Sequence, residues 1–225
     1  MTRSTTWWGS VRLDGAFVLA LLCVCLTPTL GRAAGPVGDG PRVTLVVRLY
    51  DSAGLATRDL HESGRVAAAI LASAAVDVQW RRCPDLLPSG VDACRLPLAA
   101  NEAVLRLIPS SGRMRESAEP LGSTLLDPWG RQAVLSTVFV DRILDVADRA
   151  RIDHTQLLGR AVAHELGHLL LGSAGHSTEG LMRPFWTDDL LRSGTRESWQ
   201  LLPEQAAAIR ANRMRAAAAD IAGGS

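Results

Sequence analysis

Residues 157–171 read L-L-G-R-A-V-A-H-E-L-G-H-L-L-L, a run without proline in which His164, Glu165 and His168 are the only polar side chains beyond Arg160. Asp153 can cap this helix, with Gln156 as its third residue, and Gly172 ends it. A helix this apolar on every side is buried nearly all round. Two imidazoles and a carboxylate left unpaired there would cost several kcal/mol, so something must satisfy them. A divalent metal does so. Residues four apart lie on one helical face with Cβ atoms about 5 to 6 Å apart, so the imidazoles of His164 and His168 can reach one ion at about 2.0 to 2.1 Å. Zinc fits that geometry, and Glu165 then points beside the ion, where it can take a proton from a water that the metal activates. The competing reading is a chance H-E-x-x-H whose histidines are hydrogen-bonded within a core.

A catalytic zinc site has three protein ligands and an open position, so a third ligand must come from downstream. Gly172 ends the helix, Gly175 permits a further turn, and His176 is the next histidine, followed by Gly180-Leu181-Met182. Glu179, Asp188, Glu197 and Glu204 are the carboxylate alternatives to His176. His61 and His154 have no ligand spacing to anything and read as surface or capping residues.

With those residues in place, the sequence resembles the metzincin clan of zinc metallopeptidases, and most closely its matrixin-like members: His164-Glu-Leu-Gly-His168, a glycine, His176-Ser177, then Gly180-Leu-Met182. The clan's pattern is H-E-x-x-H-x-x-G-x-x-H with a later methionine in a tight turn. Here Gly172 and His176 fall one and two residues later than that pattern predicts, and two residues add about 7 Å of reach. The runs H-E-L-G-H-L-L-L-G, G-L-M-R-P-F-W and P-E-Q also resemble a group of secreted bacterial metzincin-like proteins. The resemblance implies an α+β fold, a small twisted mixed sheet with an active-site helix and a C-terminal helix. It implies zinc held by His164, His168 and His176, Glu165 as catalytic base, and a peptide or protein substrate laid along an edge strand. Many relatives place a tyrosine after the methionine turn. This chain has only Tyr50, and Arg183-Pro184-Phe185-Trp186 stands there instead. Arg183, Phe185 and Trp186 either wall a substrate pocket or, for the two aromatics, cover the core.

Outward from the helix, the chain alternates strands and helices. Val43–Tyr50 (VTLVVRLY) is rich in β-branched residues and reads as a strand, followed by a helix over about 58–75. Val76–Arg82 and Ala103–Ile108 are further strands; Leu121–Leu126, between prolines, reads as a short edge strand, and Gln132–Val140 as a stronger one. Pro203 opens a closing helix to about Ala219.

The N-terminus differs in kind. Arg3 and Arg12 precede an apolar run, Ala16–Leu26, followed by Pro28, Gly31 and Ala33-Ala34, a secretory signal over 1–34 that leaves 35–225 as a catalytic domain. The apolar run is about half of the roughly 20 residues needed to span a bilayer, so no stable membrane association is expected after cleavage. The expected location is secreted or periplasmic. Export removes Cys23 and Cys25, and Cys83 and Cys94 then pair as a disulfide rather than bind metal.

At 225 residues, 47% hydrophobic and 21% charged, the chain has the balance of a globular domain, not of a disordered or fibrous one. The net charge of +1 gives no field to attract nucleic acid. Three activities share these residues: a zinc endopeptidase, favoured by the motif; a zinc hydrolase of a non-peptide amide; and a zinc-stabilised binding module without catalysis.

Overall fold

In Val43–Asp51 (β1), Leu45, Val47 and Leu49 are buried on one face, while Arg48 is buried on the other. The computed structural model describes residues 42–83, 93–110, 120–126 and 135–223; the signal assigned to 1–34 lies outside them. Helix α1 (Thr57–Ala72) returns the chain to β2 (Val76–Cys83), which runs parallel to β1. Strands β3 (Glu102–Ile108) and β5 (Leu135–Phe139) extend the sheet in parallel, and β4 (Gly122–Leu125) closes it as an antiparallel edge on β5. The order is β2-β1-β3-β5-β4, so the fold is α+β with a mixed, mostly parallel sheet, as expected. Parallel strands need both faces covered. Helix α3 (His154–Leu171) packs with α1 over one face.

Two sequence boundaries need correction. The strand expected to run to Val140 ends at Phe139, and Val140–Ala150 is a helix, α2, entered without a loop. Its buried residues, Val140, Ile143, Val146, Ala147 and Ala150, follow helical spacing, whereas period-two reading stopped at the apolar strand before it. The helix expected to reach residue 75 ends at Ala72, because residues 73–75 form a turn with Ala75 at a φ of +62°. A short helix, α4 (Asp188–Ser193), and a 3₁₀ turn (Glu197–Trp199) precede α5 (Pro203–Gly223). Asn212 on α5 donates to the carbonyls of Leu170 and Leu171 at 3.1 Å, satisfying the orphan end of α3.

Cys83 and Cys94 form the expected disulfide, with Cα atoms 5.8 Å apart. The bridge anchors the stretch that covers the outer face of β1. There Arg48 donates to the carbonyls of Leu96 and Pro97 and pairs with Glu102, which also accepts from Arg81. A lone arginine in an apolar strand is thus made tolerable by a carboxylate that is itself only 7% exposed. Burial works to raise the Glu102 carboxyl, but the Arg48 bond, the Ala99 N–H and Arg81 outweigh it and hold it below the ordinary 4.5. That stabilisation is therefore present above pH 4.5 and is lost as pH falls through the lowered folded value. Glu102→Gln is expected to destabilise the protein by about 3 to 5 kcal/mol at pH 7, since it leaves a buried guanidinium without its counter-charge. Urea melts at pH 7 and pH 3.5 check this: the gap between variant and wild type should narrow on acidification, and a gap below about 1 kcal/mol at pH 7 contradicts it.

Candidate metal centre

Fourteen of the eighteen residues of α3 are buried, among them His164, Glu165 and His168. Asp153 starts the helix by accepting from the N–H groups of Thr155 and Gln156, and Gly172 ends it in the left-handed region at a φ of +63°. Of the two loop glycines, Gly172 takes the positive φ and Gly175 does not. The chain then carries His176 back over the C-terminal half of α3.

The three imidazoles meet there. His168 Nε2 lies 3.1 Å from His164 Nε2 and 3.2 Å from His176 Nε2. His176 is exposed and closes the rim over the two buried rings. The opposite ring nitrogens are occupied: His164 Nδ1 bonds the Leu181 carbonyl at 2.9 Å, and His168 Nδ1 bonds the Ser173 carbonyl at 2.8 Å. A carbonyl only accepts, so each Nδ1 carries the proton, and the network assigns an unprotonated Nε2 to both residues. Two lone pairs then face each other at 3.1 Å, which is repulsive unless a cation lies between them. Burial, with the neighbouring histidines adding to it, pushes His164 down to about 4 and lowers His168, so a bridging proton is not available near neutrality. A metal ion fits: nitrogens bound to one tetrahedral ion at about 2.0 to 2.1 Å lie roughly 3.3 Å apart. Among the described residues no carboxylate joins this cluster; Asp188 lines the adjoining cleft and faces Arg192 at 3.6 Å.

The Gly180-Leu181-Met182 turn lies beneath the rings. Leu181 and Met182 are fully buried, and Met182 O accepts from the Ser177 N–H at 2.9 Å, tying the turn to the segment that delivers His176. Gly167 leaves room for it, since a Cβ there would come within 2.7 Å of the Met182 sulfur. Trp186 meets His164 edge-on at 5.6 Å and Trp199 at 5.3 Å, and the Arg160 guanidinium lies 3.9 Å over the Trp199 ring. Trp186 therefore packs on the core and on a histidine, whereas Phe185 is 68% exposed and lines the cleft together with Arg183. Tyr50 is remote from this centre and donates to the Cys94 carbonyl. His61 is exposed, and His154 faces Asp59 at 3.4 Å.

Glu165 sits beside the imidazoles against the edge strand. Burial pushes its carboxyl up to about 7, with the Thr124 hydroxyl bond acting in the opposite direction. A cation nearby would favour the ionised form. Gly122 on β4 allows this approach, because a Cβ there would sit 2.7 Å from Glu165 Cγ and Oε1. The whole arrangement forms the floor of a cleft of about 790 Å³, bounded by β4 on one side and by residues 183–187 on the other. Thr124, Ser136 and Gly122 complete the site without belonging to any sequence motif. Only Ser136 carried a signal, as a hydroxyl in a strand that is otherwise mostly apolar.

No protein-family model and no curated protein matches the chain. Among solved structures it is similar to archaemetzincin from Methanopyrus kandleri, at 20% identity over 78% of this chain and 98% of that one, with a TM-score of 0.47. It is also similar to a zinc-dependent peptidase from Methanocorpusculum labreanum strain Z (15% identity, 72% and 99% covered, TM-score 0.48). Metalloproteinase-II from Bacteroides fragilis is a third (12% identity, 77% and 55% covered, TM-score 0.46).

Proposed function

We propose that the protein is a secreted zinc-dependent endopeptidase in which His164, His168 and His176 hold the ion and Glu165 is the general base. The observation that carries this is the convergence of three ring nitrogens, two of them with lone pairs aimed at each other, beside a buried carboxylate at the floor of an open cleft. When bound, zinc polarises the scissile carbonyl and lowers the pKa of water toward about 7. The carbonyls of Leu181 and Ser173 fix the tautomers that present both Nε2 atoms. Glu165 takes the proton from the attacking water and passes it to the leaving amine, help typically worth about 10² to 10⁴ in rate.

Strand β4 pairs with β5 on one side, and its other edge borders the cleft. An extended peptide can add main-chain hydrogen bonds there, facing Arg183 and Phe185 across the floor. This chain supplies no turn tyrosine for the developing oxyanion, so the barrier is lowered without that donor. The Cys83–Cys94 disulfide supports an oxidising compartment, and no described helix is long and apolar enough to cross a membrane. Removal of a signal over 1–34 would release 35–225. A purely structural zinc prefers a closed fourth position and has no use for Glu165, which speaks against a binding module; a non-peptide amide differs only in what fills the cleft.

Casein hydrolysis by the purified chain is expected to stop on treatment with a chelator and to return with added zinc. Turnover that persists in metal-free protein would contradict the proposal.

A further inference from the structure

The two oxygens of the Glu165 carboxylate have different surroundings. Thr124, on β4, brings its hydroxyl to 2.7 Å from Oε2 and to 2.9 Å from the main-chain carbonyl of the same residue. Ser136, fully buried on β5, lies 2.9 Å from the Thr124 hydroxyl and 3.2 Å from that carbonyl. Each hydroxyl has a single proton to give. The charged oxygen makes the stronger bond, so Thr124 donates to Oε2 while Ser136 donates to the Glu165 carbonyl or to Thr124. Oε1 keeps no hydrogen-bond partner among the described residues and lies on the Gly122 side.

We infer that Thr124 is a positioning residue: it ties down Oε2 of Glu165, so that Oε1 is the oxygen that exchanges protons with the reacting water and amine. This inference rests on the peptidase reading. In the first step a water O–H bond breaks, its proton goes to Oε1, and the oxygen bonds the carbonyl carbon as the C=O π pair moves onto the carbonyl oxygen. In the second that pair re-forms the C=O bond, the C–N bond breaks and the proton moves from Oε1 to the amine nitrogen. Torsion about the last bond of a glutamate is broad and two-fold, so an untethered carboxylate turns between orientations. One hydroxyl bond removes that freedom before substrate arrives. The tether also comes from the strand whose main chain borders the cleft, so base and peptide share one frame. Thr124's side chain faces Glu165 while pairing uses the main chain; its loss therefore falls on kcat rather than KM.

The test uses the full-length, zinc-loaded chain as wild type, Thr124→Val, Thr124→Ser and Glu165→Gln on one peptide substrate. Thr124→Val keeps the shape and deletes the donor; kcat is expected to fall ~10²-fold, the scale of a misplaced reacting group, with KM within ~2-fold and zinc per chain unchanged. Thr124→Ser restores the donor and is expected within ~5-fold of wild type. A valine variant within ~3-fold of wild type, while Glu165→Gln is inactive, overturns the inference, as does an equal loss in the valine and serine variants. Should the valine variant not fold, Thr124→Ala is judged by the same criteria. Full activity in Glu165→Gln would instead overturn the peptidase mechanism, and the role of Thr124 with it.

Discussion

Glu165→Gln is expected to lose casein and peptide hydrolysis by about 10² to 10⁴ in kcat while keeping its zinc and its fold. The amide keeps the size of the side chain, which matters because Glu165 is 6% exposed and packed on Gly122. It can still accept from Thr124, so the β4 contact survives. What disappears is the basic site, since a neutral amide cannot take a proton from water near neutral pH. Zinc content by mass spectrometry should equal that of the wild type, because the ring nitrogens of the cluster belong to other residues. Intact turnover with zinc bound would assign the base elsewhere.

His176→Ala is expected to weaken zinc binding by more than the roughly 10- to 100-fold typical of losing an outer hydrogen-bond partner, leaving little metal after dialysis. His164 and His168 are fixed on a buried helix with their tautomers set by carbonyls, whereas His176 is exposed and arrives on a loop. Removing it creates no cavity, so the melting temperature of the metal-free protein should change little. The loss therefore reads out coordination rather than folding. An affinity equal to wild type would hand the third position to a carboxylate, with Asp188, already lining the cleft, the first to substitute.

The centre of the fold was legible because α3 breaks an expectation that sequences rarely break: three polar groups in a helix buried on all sides demand a common partner. Its cap, its end at Gly172 and the edge position of β4 followed from local chemistry in the same way. Helix α2 did not, although its spacing is regular, because it begins at the residue that follows an apolar strand, without any turn signal. Thr124 and Gly122 were invisible for another reason. Their roles exist only once antiparallel pairing of β4 on β5 brings Thr124 opposite Ser136 and sets both beside α3, and no local pattern encodes that register. Arg48 lies between: a charge inside VTLVVRLY had to be paired, but its partner, Glu102, is 54 residues away.

The absence of a joint between β5 and α2 bears on how the cleft can accommodate different occupants. Val146 and Arg149 of α2 line it, and that helix continues directly from a strand hydrogen-bonded on both sides, so this jaw is as stiff as the sheet itself. Across the cleft from β4, residues 183–187 have no regular structure and are held through Trp186, which meets Trp199 edge-on. Any widening for a bulkier guest must be absorbed there, in the irregular segment that carries Trp186, and not in the scaffold.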